Sequence, residues 1–423
     1  MAAGKRVVLA THGTLGDVHP YLALALELQR RGHRPVIATN EFYRRKVEEK
    51  GIAFHAVRPD FSYDDSSLHE RLTEPRRGFE RVIRELMLPR LRQTYEDLLA
   101  AVRNADLLVS QILMFAAPLV AERTSVRWIS TELQPGAFLS IYDPPVLAPV
   151  PALARLRGLG PAFHAAVFGI AKMTARRWGK PVLRLRKELG LSLDNDPLFS
   201  GRSSPQLHLA LFSRVMGPPQ RDWPPNTAIT GFPFYDENDS PLPPEIDRFV
   251  DSGEPPVVFT IGSSAVWNAG TFFEESVDVA RRLGMRAVLV VGKDPRNRIT
   301  QPLPEQIMTT AYAPYAALFS RAAAVVHHGG IGTTGQVLRA GKPMLVMPFG
   351  GDQYDNAARI ERLGVGRTIM RRQFTGSRAA APLRELLASA TVRDRAAEIG
   401  RQVRAEDGVR AACDAIESAS RNG

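Results

Sequence analysis

Cysteine is almost absent, with Cys413 alone among 423 residues. That excludes an internal disulfide and a cysteine-ligated metal cluster, and makes a reducing cytoplasm the expected compartment. Long apolar runs are missing too. No segment reaches the ~18 to 20 uninterrupted apolar residues of a membrane span, and the run in MAAGKRVVLATHG is too short for a signal peptide, so neither a spanning helix nor a leader is expected. Acidic residues are in deficit, 44 against 55 Lys and Arg, for a formal charge of +11. A nucleic-acid partner could explain the surplus, but no compact basic motif with interleaved aromatics accompanies it, and none is expected.

The deficit is concentrated. From Pro144 to Lys187 there is no acid, against Arg155, Arg157, Lys172, Arg176, Arg177, Lys180, Arg184, Arg186 and Lys187. Among these stand Leu153, Leu156, Leu159, Phe163, Val167, Phe168, Ile170 and Met173. Two readings are open: a peripheral helix held against anionic lipid, or a core-facing helix with a solvated basic face.

What is present is enough for two cores. Single cores stop growing near roughly 250 to 300 residues, and 44% hydrophobic with 23% charged residues fits a folded globular chain. Arg6 to Thr11 reads as a buried strand, His12 to Pro20 as a turn, and Leu22 to Arg31 as an amphipathic helix, the opening of a Rossmann-like domain. The β-α rhythm continues with a strand at Pro35–Thr39, a helix at Glu41–Lys50 and a strand at Ala53–Val57. Phe61 to Gly78 reads as a loop, Glu80 to Arg103 as one helix, Leu107–Ser110 and Arg127–Thr131 as strands. A Pro- and Gly-rich excursion runs from Gln134 to Gly160, and one helical stretch from Phe163 to Leu189. Asp236 to Pro244, with three prolines, reads as a linker. The expected division is residues 1–235, a linker at 236–255, a second Rossmann-like domain at 256–405 and a C-terminal helix at 406–423.

The densest chemistry lies between Val325 and Asn356, VVHHGGIGTTGQVLRAGKPMLVMPFGGDQYDN. An apolar strand breaks at His327-His328-Gly329-Gly330-Ile331-Gly332-Thr333-Thr334, and helical spacing then runs to Ala340. Small residues allow close approach to the backbone, and a helix N-terminus offers N–H groups and partial positive charge to a phosphate. A second strand, Met344–Met347, releases Gly350-Gly351-Asp352-Gln353, whose donors and acceptors suit sugar hydroxyls.

These residues, with Tyr312-Ala313-Pro314-Tyr315 and Asp352-Gln353-Tyr354-Asp355-Asn356, resemble the nucleotide-sugar signature of the UDP-glycosyltransferase superfamily. That family is inverting and has the GT-B fold, an α/β architecture of two Rossmann-like domains facing across a cleft, and it includes bacterial sterol and macrolide glucosyltransferases. Pro219-Gln220-Arg221-Asp222-Trp223-Pro224 and Thr230-Gly231-Phe232-Pro233 resemble the bacterial branch containing the rhamnosyltransferase of rhamnolipid synthesis. The resemblance implies transfer of a hexose from a UDP- or dTDP-sugar to a hydroxyl of a lipophilic acceptor such as a sterol, polyketide or hydroxy-fatty acid. No cofactor beyond the sugar nucleotide and no obligatory metal is implied, since helix dipoles and neutral donors can stabilise the leaving diphosphate.

It also implies roles for residues. Asp17 matches the position of the family's catalytic base, and a partly desolvated carboxylate there would be basic enough; it could instead cap the following helix. His19, close by, is a second candidate base. Where many relatives carry a carboxylate that orients the base, this chain has Ser110-Gln111. On the donor side, Gly262 and Ser263 resemble the phosphate-contacting Gly-Ser, and Tyr312, with Ala313, the base-stacking position. His328 would contact the diphosphate with the N–H groups of Gly330, Ile331, Gly332 and Thr333. Gln336 stands where plant relatives carry a ribose-binding glutamate, and a glutamine accepts only through its single carbonyl oxygen, which weakens a strict preference for ribose and leaves UDP and dTDP both open. Asp352 and Gln353 match the sugar-hydroxyl contacts; Asn356 begins or braces a helix, and His327 packs. Competing readings are a nucleotide-sugar epimerase or hydrolase of the same fold, and a non-catalytic partner of another transferase.

Overall fold

The computed structural model describes residues 4–61, 65–193, 196–236 and 241–421, so 237–240 of the expected linker lie outside the described residues. Two fully parallel sheets organise the chain. The first contains β1 (Arg6–Ala10), β2 (Arg34–Thr39), β3 (Ala53–Ala56), β4 (Leu107–Gln111), β5 (Arg127–Glu132), β6 (His208–Ala210) and β7 (Thr227–Ile229). Its order is β3-β2-β1-β4-β5-β6-β7. The second contains β8 (Val257–Thr260), β9 (Ala287–Val290), β10 (Ile307–Thr310), β11 (Ala324–His327), β12 (Met344–Val346) and β13 (Gly366–Thr368), ordered β10-β9-β8-β11-β12-β13. Residues such as Val8, Leu9, Leu108, Val109, Val258, Phe259, Val325 and Val326 are buried, as strands covered on both faces require. Each sheet reverses its order beside its first strand, at β1/β4 and at β8/β11. Ligands of open α/β sheets bind outside the strand ends at such points.

Several expected boundaries move. The first helix runs Leu15–Arg30, starting seven residues before the expected Leu22, because Asp17 at its third position accepts from the Thr14 N–H (2.8 Å) and caps it. Pro20 lies inside that helix, where its missing N–H costs only the bond to the Gly16 carbonyl. The expected loop from Phe61 to Gly78 contains a helix, Ser66–Leu72. The expected helix Glu80–Arg103 breaks around Pro89 and resumes at Leu91–Ala101. Phe163–Leu189 divides into Gly160–Ala175 and Lys180–Glu188, with the Gly179-Lys180-Pro181 sequence at the break. Helix Ala117–Thr124 had no expectation attached to it.

Two features join the sheets. The C-terminal helix Gly408–Arg421 places Ala412, Cys413 and Ile416 in one buried cluster with Leu22, Leu24 and Leu28 of the first helix. Arg31 reaches Asp414 at 2.6 Å. The approach needs glycine at 408, since a methyl there would lie 2.4 Å from the Phe232 carbonyl oxygen. The second feature is the excursion from Gln134 to Gly160, which grips the helix Gln353–Leu363. The Val146 N–H donates to Asp355 Oδ1 (3.0 Å), and Arg359, 2% exposed, binds Asp355 (2.6 Å), Asp143 and the Met216 carbonyl (2.9 Å). Changing Arg359 to Met leaves two buried carboxylates without this partner and should lower stability by about 3 to 5 kcal/mol in urea unfolding. Arg410→Met, which removes an exposed ion pair with Asp414, should cost at most ~0.5 kcal/mol in the same assay.

Candidate active site

The site is assembled at the two switch points. At β1/β4, Thr11 and His12 leave β1 and Gln111 ends β4. The Gln111 amide carbonyl accepts from Thr11 Oγ1 (3.1 Å) and the His12 N–H (3.3 Å), which turns its NH2 toward Asp17 Oδ1 at 3.0 Å. Asp17 Oδ2 takes the Thr14 N–H and hydroxyl. Gln111 therefore occupies the orienting place that the sequence left without a carboxylate. Asp17 sits on the first helix turn rather than in a loop, and it both caps the helix and faces the cleft. Burial pushes its carboxyl up to about 6, against the hydrogen bonds from Thr14 and Gln111 that hold it down.

His19 is not brought to the same point. It lies two positions along the helix, about 200° around the axis, and its ring lies against Tyr235, centroids 4.8 Å apart and planes tilted by 39°.

At β8/β11 the imidazole of His328 is 5% exposed and fits between two glycines. A methyl on Gly262 (φ +67°) would come 2.4 Å from its Cε1, and one on Gly330 2.4 Å from its Nε2. The ring has room only because both positions lack a side chain. Its Nδ1 has no partner among the described residues, and burial depresses the pKa to about 4, so the ring is neutral at physiological pH. Helix Ile331–Ala340 begins immediately after, with Gly330 as its N-cap, so the N–H groups of Ile331, Gly332 and Thr333 lack intrahelical partners. His327 packs, its Nδ1 accepting the Gly329 N–H at 3.1 Å. Ser263 lies in the short helix Gly262–Ala265 that follows β8. Tyr312, just beyond β10, is 56% exposed, while Ala313 beside it is 1% exposed.

Asp352 is the N-cap of Gln353–Leu363 and accepts from Asn356 Nδ2 (2.7 Å), which also bonds the Gly329 carbonyl (2.9 Å) and so ties the two loops together. Burial raises Asp352 to about 7, and the charge of Asp17 from the opposite domain adds to the rise. Two residues expected to contact the donor are partly engaged by protein groups. The Gln353 carbonyl accepts the N–H groups of Phe349 (2.7 Å) and Gly350 (3.2 Å), leaving only its NH2 for a ligand. The Gln336 carbonyl accepts from Arg339 (2.7 Å), which is itself paired with Asp236, so one of its two lone pairs is taken.

Glu132, at the end of β5, went unnoticed in the sequence because a single acid closing an apolar strand carries no pattern. It is 4% exposed and pushed up to about 8, chiefly by burial, with Arg202 pulling it down and Asp352 pushing it up. Beside it opens a cavity of about 830 Å3 walled by Ile112, Phe138, Leu139, Arg202, His208 and Trp223. Phe138 and Trp223 stack at 4.2 Å. Glu132 thus lines the first domain's cavity, and the two switch points supply a neutral imidazole and a helix N-terminus on one side and the Asp17 carboxylate on the other.

Two Rossmann-like domains with such a site between them define a glycosyltransferase of the GT-B type. Residues 7–135 match the glycosyltransferase family 28 N-terminal domain, and residues 276–410 the erythromycin biosynthesis protein CIII-like C-terminal domain. The chain is 32% identical over 431 residues to the O-mycaminosyltylonolide 6-deoxyallosyltransferase of Streptomyces fradiae, covering 97% of each. It is 30% identical over 436 residues to a sterol 3-beta-glucosyltransferase of Neosartorya fischeri, covering 98% of this chain but 29% of that protein. The fold matches that of the glycosyltransferase VinC in complex with dTDP, with TM-score 0.70 and 19% identity over 99% of this chain and all of that one. The chain belongs to the UDP-glycosyltransferase superfamily.

The neutral state of His328 can be checked by proton NMR. Its Cε1–H resonance, identified by its loss in His328→Gln, should hold its position from about pH 5.5 to 8, while an ordinary histidine titrates near ~6.5.

Proposed function

We propose that this protein transfers a hexose from a UDP- or dTDP-sugar to a hydroxyl of a lipophilic small molecule, with inversion and with Asp17 as the base. The observation that carries the reading is the pairing of the two switch points: Asp17, held by Gln111 at 3.0 Å beside β1, and His328, the N-terminus of helix Ile331–Ala340 and the Asp352 loop tied to them by Asn356, with the Asp17 charge bearing on Asp352. A base at Asp17 and a sugar held at Asp352 would then be neighbours.

The acceptor lies in the cavity beside Glu132, whose aromatic walls suit a flat apolar molecule. Its hydroxyl gives its proton to Asp17 as its oxygen attacks the anomeric carbon, and the bond to the nucleoside diphosphate breaks on the opposite face. The departing charge meets the neutral His328 ring and the N–H groups of Ile331, Gly332 and Thr333, which can stabilise it without a metal. Gln111 fixes the direction of the Asp17 carboxylate. Asp352 and the Gln353 NH2 hold sugar hydroxyls, and Tyr312 stacks on the base. With the Gln336 carbonyl shared with Arg339, a ribose is held less firmly than by a carboxylate, which suits acceptance of a deoxyribose donor as well as a ribose one. The dTDP bound to VinC supports that side of the choice, and the tylonolide and sterol substrates of the relatives support a polyketide or sterol acceptor.

The test is release of nucleoside diphosphate from a panel of UDP- and dTDP-sugars with macrolide and sterol alcohols; no release from any pair would overturn the reading. Asp17→Asn should lower kcat by roughly 10² to 10⁴-fold with donor affinity little changed. The wild-type kcat/KM should drop about tenfold per pH unit below about 6, where the carboxylate takes a proton, and level off above it. Asp17→Asn should lose that acid limb.

A further inference from the structure

The helix Gly160–Ala175 is built the wrong way round for a helix facing water. Its exposed positions include Ala162, Ala165, Ala166, Gly169, Ile170 and Met173, spaced three and four apart, which is the spacing of an apolar stripe that normally faces a core. Here the stripe faces outward, with Ile170 63% and Met173 66% exposed, and Leu159 at the helix's start adds 58%. The opposite face is already occupied: His164 and Phe168 are buried, and Phe163, Val167 and Phe168 wall a cavity of about 360 Å3 shared with Ala358 and Arg362 of the other domain. Lys172 is the helix's one charged residue, and it turns aside over the Phe199 ring.

The chain on either side of the stripe carries charge of one sign, with Asp196 coming in to pair with Arg176 at 3.2 Å. Arg155, Arg177, Lys180, Arg184 and Lys187 are exposed, and no acid occurs from Pro144 to Lys187. Arg157 and Arg186 are turned inward to Asp143 and Glu122 and do not contribute to this rim.

We propose that this helix, with the turn before it, docks on an anionic membrane surface. An apolar stripe rimmed by cations matches the boundary between acyl chains and acidic headgroups. A second copy of the chain fits less well, because a two-fold interface would bring two cationic rims together. At sixteen residues the helix spans about 24 Å, short of the ~30 Å hydrocarbon core. No helix among the described residues is long and apolar enough to cross a membrane, so the contact is with the surface.

Co-sedimentation of the full-length chain with vesicles tests this. In ~0.1 M salt the protein should pellet with equimolar phosphatidylcholine and phosphatidylglycerol, and about tenfold less with phosphatidylcholine alone. Ile170→Glu with Met173→Glu should reduce binding about tenfold or more, with unchanged circular dichroism and melting, because both side chains project from the surface. Arg155→Glu with Arg177→Glu should weaken binding and flatten its salt dependence. Failure to pellet with the anionic vesicles, or pelleting unaffected by the Ile170/Met173 pair, overturns the proposal. So does a dimer in sedimentation velocity that the same pair dissolves, which would assign the stripe to self-association.

Discussion

A buried guanidinium holds the two halves of this molecule in register. Arg359 projects from the helix that also begins with Asp352 and Gln353, and it binds Asp143 of the first domain's excursion and Asp355 of its own helix. A charge so far out of water is tolerable only with partners on several sides, so the excursion must lie where it does, and Gly136 must lack a side chain that would press on Asp355. The spacing between Asp17 and Asp352, on which the proposed chemistry rests, depends on this contact and on the C-terminal helix that crosses back.

Within that frame the electrostatics divide the cleft into two kinds of surface. The first domain and the Asp352 loop contribute carboxyl groups whose pKa values burial raises toward neutrality: Asp17, Asp352 and Glu132. The second domain contributes donors without net charge: a neutral His328 and a helix N-terminus. Proton acceptors thus stand opposite stabilisers of negative charge, and neither group has to change its ordinary chemistry by more than its surroundings already impose.

Much of the fold was legible in the residues because its signals are local. Apolar runs ended by turn residues located Arg6–Ala10, Arg34–Thr39, Ala53–Ala56, Leu107–Gln111, Arg127–Glu132 and Met344–Val346 within one residue, and the helix ending at Ala340 was legible too, although it starts at Ile331, inside the expected break. Prolines misled in both directions. Pro20 reads as a helix boundary but sits inside one, because the Thr14–Asp17 cap upstream had already started the helix; Pro89 lies within an apparently continuous period but interrupts it. Gln336 and Gln353 kept their places in the motif while their carbonyls went to Arg339 and to the Phe349–Gly350 backbone. A motif records spacing, and which partner satisfies an amide depends on residues such as Asp236 that are 100 positions away.

By itself, then, the sequence determined the two α/β units, the glycine turns at their strand ends and the candidate base, because each depends on backbone propensities and periods within a few residues. Tertiary structure alone decided that Gln111 orients Asp17, that Glu132 is buried beside the cavity, and that Arg359 joins the domains. It also decided which way the helix Gly160–Ala175 faces. Periodicity shows which side chains share a face; whether that face meets a core or the outside depends on what the rest of the chain packs against it.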